Sequence, residues 1–414
     1  MTPTVSASQA DIVIAGGGYA GVTLALALAQ ALGSARSIVL IDRGVPRDAA
    51  ASDARVSAIS AAAKRMFEVL GVWPRLADDA QPMSEIQLTD SSLNAGIRPV
   101  LLTFSNTVPG DEPASYIVPN AVFGRALLDA LEVLPSVMIW PRAPATDFDA
   151  DECGVTIRLA TGFSIRAALL VGADGRSSPL RDAAGIQIVG WSYPQTGIVT
   201  TVAHERPHGG KAVQHFLPGG PFAILPLKGN RSSITWSEDA ERAREILALD
   251  DQGFLAEVDK RFGGRLGALR LDGPRQSWPL GMHLARRYVT RRFALLGDAA
   301  HGVHPIAGQG LNLAMRDAAA LTEVVVDAVR LGLDLGDSAA LERYEQWRRF
   351  DSALAAATFD GLNRLFSNDW ALLRSAREFG LGLVDRVPVL KQLFVQEAAG
   401  LSGELPRLLR GESV

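Results

Sequence analysis

The 414-residue chain has one cysteine, Cys153, which excludes an intramolecular disulfide and any multi-cysteine metal or iron–sulfur centre. Basic charge is not in excess: 41 Lys and Arg stand against 45 Asp and Glu, a formal net charge of −4. Sequence-independent binding to nucleic acid needs many phosphate-neutralising cations, so no nucleic-acid partner is expected. No stretch approaches the roughly 18 apolar residues of a membrane span, and Met1–Ala10 lack the basic and apolar regions of a secretory leader. These absences point to a reducing, cytoplasmic setting and leave open a peripheral contact with the inner face of a membrane. No internal repeat or low-complexity segment is evident.

What is present is enough apolar material, 48% of residues, for two or three packed lobes, because single cores stop growing near roughly 250–300 residues. Asp11–Ala15 is a short apolar run that ends in glycines and is followed by the Ala- and Leu-rich stretch Tyr19–Leu32. A second run, Ser37–Ile41, ends at Asp42, giving strand, tight turn, helix and strand in about thirty residues. A parallel sheet follows. Ala167–Asp174 and Arg292–Asp298 read as further buried strands running into turns, so the nucleotide-binding lobe is discontinuous. Between them lie the β-prone runs Thr196–Val202, Val213–Leu217, Phe222–Leu227 and Ser232–Ser237, which suggest an inserted, largely antiparallel sheet. From Ala339 the pattern turns helical, with a break expected at Pro388.

Gly16-Gly17-Gly18-Tyr19-Ala20-Gly21 fits G-x-G-x-x-G in the strand-to-helix context that the motif requires. Gly16, Gly18 and Gly21 allow the turn, a close approach to a pyrophosphate and tight helix packing. Asp42, at the end of the second strand, is placed to accept hydrogen bonds from an adenosine ribose. Tyr19, Ala20 and Arg43 flank these positions and join them as cofactor-binding candidates. The fingerprint alone leaves NAD and FAD open.

Gly172-Ala173-Asp174-Gly175-Arg176 and Gly297-Asp298-Ala299-Ala300-His301 resemble the Asp-Gly and Gly-Asp motifs of flavoprotein aromatic hydroxylases of the p-hydroxybenzoate hydroxylase type. The stretch from His304 through Pro305, Gly308, Gly310, Leu311 and Asn312 to Leu313 resembles the signature of the ubiquinone-biosynthesis hydroxylases within that group. So do Asp53–Ala58, Pro207–Ala212, Gly220–Leu227 and the tail from Pro388 to Gly411.

The resemblance implies bound FAD, with Asp174 near the pyrophosphate and Asp298 on a ribitol hydroxyl. It implies Arg55 and Arg125 as further FAD contacts, and a planar guanidinium suits pyrophosphate oxygens. A helix starting near Leu311 would aim its positive end at the reduced flavin, with Gly308 and Gly310 letting backbone approach the ring, and Gly297 of the Gly-Asp motif is a further cofactor-binding candidate. The implied reaction is hydroxylation of a polyprenylated phenol by O2 and NADH or NADPH through a flavin hydroperoxide. The same likeness leaves a biosynthetic complex and a homo-oligomer open. Other readings are a same-fold hydroxylase of a small soluble phenol, a flavin reductase or dehydrogenase that never activates O2, and a non-catalytic flavin-binding scaffold.

The expected architecture is α/β: a doubly wound FAD-binding lobe in segments 1–80, 106–185 and 283–340, an inserted mixed β-sheet substrate lobe in 81–105 and 186–282, and a helical C-terminal region, 341–414. His301 and His304 are too poorly supplied with carboxylate partners in their segment for a metal site, and none is expected. His208 and His215 read as packing or surface groups, so no general base and no catalytic side chain is assigned. Trp347-Arg348-Arg349 and Glu241–Arg244 read as solvated helix faces. The apolar and basic mixture of Val387–Val395 could lie on a bilayer, dock a partner or cover the core, with core packing the default.

Overall fold

The computed structural model describes residues 8–90, 93, 100–305, 308–366, 392 and 395–414. The expected break at Pro388, most of Val387–Val395, and Ile306 and Ala307 of the signature lie outside the described residues.

The runs Ile12–Ala15, Ile38–Ile41 and Leu169–Gly172 are buried at every position, as strands covered on both faces must be. They sit in a six-stranded sheet ordered Val137–Trp140, Ile38–Ile41, Ile12–Ala15, Leu169–Gly172, Phe293–Leu295, Val289–Thr290. All neighbours are parallel except the last pair. The helix Tyr19–Leu32 is buried from Gly21 to Ala29 without interruption, because Gly310–Arg330 and Asn120–Leu131 pack against it. Strand order reverses beside Ile12–Ala15, so the carboxyl ends of the strands open a crevice there.

A nine-stranded sheet forms the second layer. Its main path runs His301–Gly302, Gln276–Ala285, Ile188–His204, Arg231–Asp239, Gly220–Leu227, Lys211–Leu217, Glu85–Asp90, Val100–Ser105, with Leu269–Leu271 paired to the side of Ile188–His204. Pairing is antiparallel except between Lys211–Leu217 and Glu85–Asp90. On one face Ile198, Phe222 and Trp236 pack against Phe254 and Phe262 of the helix Asp251–Phe262. The strand expected at Thr196–Val202 starts eight residues earlier, at Ile188. Pro194 lacks an amide donor, and pairing with Gln276–Ala285 slips register between Ser192 and Thr196, so one continuous strand reads as two in sequence.

The helix expected from Ala339 runs Ser338–Phe366. Arg348 is not on its solvated face, contrary to the sequence reading. The side chain is 1% exposed and its Nε donates to Asp317 Oδ1 at 2.8 Å. Alternating charge in sequence does not show that one arginine points inward to a carboxylate 31 residues away.

Candidate active site

Three stretches distant in sequence meet along one cleft of about 1390 Å³, lined by the turn after Ile12–Ala15, residues of Leu296–Pro305 and Gly308–Leu313, and the inner face of the nine-stranded sheet. Pockets for a single small ligand run to roughly 300–1,000 Å³, so this cleft has room for a cofactor and a substrate together. Gly18, Tyr19, Ala20, Arg43 and Arg55 line it from one side, and Asp298, Pro305, Gly308, Gly310, Leu311 and Asn312 from the other.

Gly16 has φ +121°, and a Cβ there would stand 2.0 Å from the Ala173 carbonyl oxygen. Glycine is therefore required by the protein itself, where the first turn crosses the Asp174 turn. Gly21 similarly lies against the Gly16 carbonyl. Gly18 differs: its backbone is extended, with φ −75°, and a Cβ would meet no protein atom within 4 Å. The same open space lies before Gly310. Neither glycine is needed by chain packing, yet both face the cleft at the start of a helix. A pyrophosphate and a planar ring brought against helix amino ends fit such a cradle.

Asp42 lies behind the lining: its carboxylate accepts from Gly17 N at 2.6 Å and Gly44 N at 2.7 Å, fixing both turns. Asp174 also sits behind the wall, where Oδ2 accepts from Leu180 N at 3.2 Å and burial raises its pKa. Gly297 is buried and its N–H donates to Asp317 Oδ2 at 3.2 Å. Asn312 holds the helix start against the strand Val56–Ser60, donating to Ala58 O and accepting from Ser60 N. Arg125 is not brought to the cleft; it lies exposed on the helix Asn120–Leu131.

Arg55 is held in place by Asp53, whose two oxygens accept from Nε and Nη2 at 2.8 and 2.7 Å. Asp53 also accepts from Tyr19 Oη at 2.8 Å and Asn120 Nδ2 at 3.0 Å. Burial pushes the Asp53 carboxyl up, but Arg55 and these donors outweigh it and hold the pKa at about 2. Trp278, beneath the Arg55 guanidinium at 5.8 Å, completes this wall.

Several contributors were invisible in sequence. His283 Nε2 bonds the Asp298 carbonyl at 2.8 Å, and burial lowers its pKa. His301 Nε2 meets Asp317 Oδ2 at 2.6 Å, so a carboxylate does stand beside this histidine, supplied by the next helix. Among the described residues no cluster of three or more metal-ligating side chains occurs. Burial brings the His304 pKa down to about 4, leaving it neutral near pH 7. Only a lone Asp within the run Ala314–Ala320 hints at Asp317's role. His208 and His215 serve packing: His208 Nε2 bonds Leu227 O and His215 Nδ1 bonds Thr89 Oγ1.

The sheet contributes an apolar wall that includes Ile86, Leu88, Leu102, Phe104, Val213 and Leu225. His283, on the strand Gln276–Ala285 of the same sheet, also lines the cleft.

A family model described as FAD binding domain matches residues 9–357. Ubiquinone hydroxylase UbiL of Rhodospirillum rubrum is 46% identical, covering 97% of this chain and 93% of that protein. The 3-demethoxyubiquinol 3-hydroxylase of Escherichia coli K12 is 33% identical over 94% and 98% of the two chains. Human ubiquinone biosynthesis monooxygenase COQ6, mitochondrial, is 32% identical over 92% and 91%. The same fold occurs in p-nitrophenol 4-monooxygenase PnpA of Pseudomonas putida DLL-E4, with a TM-score of 0.79 at 18% identity over 96% and 99% of the chains. With fold, cleft and relatives in agreement, the chain belongs to the FAD-dependent hydroxylases of ubiquinone biosynthesis.

Proposed function

We propose that this protein hydroxylates the aromatic ring of a polyprenylated phenol, taking electrons from NADH or NADPH and one oxygen atom from O2. The observation that carries the reading is the pairing, in one cleft, of a glycine-lined dinucleotide cradle with a long apolar wall. FAD, when bound, supplies the two-electron chemistry that side chains lack. One oxygen atom enters a ring C–H bond as a hydroxyl, and the other leaves as water with the two electrons supplied by NADH or NADPH.

The chain's own residues then have separable tasks. Gly18 leaves space for phosphates at the start of Tyr19–Leu32, and Arg55 presents fixed positive charge beside them. Asp298 offers a carboxylate to a sugar-alcohol hydroxyl. The start of Gly310–Arg330 directs amide donors towards the ring system, and Ile86, Leu88, Leu102 and Phe104 keep water from it. In this reading segments 1–80, 106–185 and 283–340 bind FAD, 81–105 and 186–282 form the substrate lobe, and 341–414 is a helical region. No described helix is long and apolar enough to cross a membrane.

The purified, FAD-loaded protein is expected to oxidise NAD(P)H faster with a prenylated phenol and to place label from 18O2 in the product. Coupling confined to short polar phenols would instead make it a soluble-phenol hydroxylase, and absence of label a reductase or dehydrogenase. Asp298→Ala is expected to weaken FAD binding by roughly tenfold to a hundredfold, the worth of a charge-assisted hydrogen bond. Fluorescence titration of the apoprotein measures it, and unchanged affinity removes Asp298 from the site.

A further inference from the structure

The helix Ser338–Phe366 carries three distinct faces. Leu341, Tyr344, Arg348, Ser352 and Ala356 are buried, while Ala355, Phe359 and Leu362 look into the cleft. The third face is exposed: Phe350, Leu354, Ala357, Gly361 and Leu365 recur at intervals of three or four residues. An ordinary solvated helix face is polar. Here Phe350 is 72% and Leu354 57% exposed.

The apolar stripe continues across the cleft mouth. Exposed Ile188, Val189 and Trp191 lie on the adjoining strand, and Ile188 and Trp191 line the cleft. Trp191 Nε1 reaches Asp360 at 3.2 Å and its ring lies 5.1 Å from the Arg364 guanidinium, joining strand to helix.

Charge on this face is sorted by depth. Arg349 and Arg364 are 52% and 64% exposed, while their partners Glu345 and Asp360 are each 14% exposed. Arg286 and Arg287 are exposed beside the same helix, where the Tyr288 and Val289 amides donate to Glu345. A chain of net charge −4 thus turns arginines and large apolar groups outward together.

We propose that this face docks on an anionic lipid bilayer, with Phe350, Leu354 and Leu365 inserted at the headgroup boundary and the arginines on lipid phosphates. Arginine stems and a tryptophan at the rim suit that interface, and anionic lipid supplies the counter-charge. Symmetric pairing with a second copy would set Arg349 and Arg364 near their own equivalents, which like-charge repulsion opposes. The cleft mouth then opens on the membrane, where a prenylated phenol resides; this last step rests on the function proposed above.

The test is co-sedimentation of the full-length, FAD-loaded protein with phosphatidylcholine vesicles, with and without phosphatidylglycerol. Capture is expected only with phosphatidylglycerol, reduced about tenfold by F350E/L354E and markedly by R349E. NADPH oxidation with a short soluble phenol should be unchanged in F350E/L354E, which shows the variant folded. Equal capture of parent and F350E/L354E, or no capture of either, overturns the proposal. So does a parent dimer that F350E/L354E splits while vesicle capture stays the same, which makes the face a contact between copies. Vesicle capture that needs Phe350 and Leu354 in a protein inactive on prenylated phenols sinks the substrate reading and leaves the docking face standing. Hydroxylation without capture does the reverse.

Discussion

Gly18→Val is expected to give a folded protein that does not retain FAD. The two halves of that outcome have different causes. Valine at this position keeps an extended backbone that any residue adopts, and its Cβ meets no protein atom within 4 Å. Its methyl groups therefore occupy the cleft and not the core. There they stand where a pyrophosphate must approach the first amides of Tyr19–Leu32. The expected loss of FAD affinity is at least about a hundredfold, or ~2.8 kcal/mol, read by flavin absorbance after gel filtration, with far-ultraviolet circular dichroism unchanged. A yellow protein of normal FAD content would displace the cradle from Gly18. Gly16→Val provides the contrast: it collides with the Ala173 carbonyl, so misfolding is expected together with flavin loss.

The difference between these two glycines shows what the sequence makes legible. Both belong to one motif, and the motif announces a turn, a helix and a phosphate site. Which glycine serves the chain and which serves the ligand depends on Ala173, more than 150 residues away. The same holds elsewhere. The strands ending at Ala15, Ile41, Gly172 and Leu295 are evident from apolar runs that stop at glycine or aspartate, and a parallel sheet follows from their local pattern. Long-range partners leave no such trace. Arg348 reads as a surface arginine because its carboxylate is on another helix, and Arg125, singled out by likeness alone, lies on an exposed helix face. Asp53 and Arg55 are the intermediate case: their pairing is local, but the role of Tyr19 and Asn120 in steadying it is not.

Asp317→Ala is expected to be strongly destabilising while leaving the chain able to fold. Asp317 is fully buried, and its oxygens serve His301, the Gly297 amide and Arg348 at 2.6, 3.2 and 2.8 Å. Truncation leaves the Arg348 guanidinium buried with Asp351 as its remaining partner, 2.7 Å away. Removing one member of a buried ion pair costs about 3–5 kcal/mol. Replacing both, as in D317L/R348M, is expected to cost less than D317A alone, since no uncompensated charge remains. The pH dependence has a definite sign. Burial raises the Asp317 pKa, but the charges of His301 and Arg348 outweigh it, so the folded value lies below 3.8. Its stabilisation is therefore complete above that value and is lost as pH falls through the lower, folded one. Denaturant titrations of wild type and D317A should converge as the pH drops below about 4. Because the same carboxylate anchors Gly297 and His301 on either side of Asp298, D317A should also loosen FAD at neutral pH. A variant that keeps wild-type stability and cofactor affinity would mean that the Gly297–His301 turn holds its shape without Asp317.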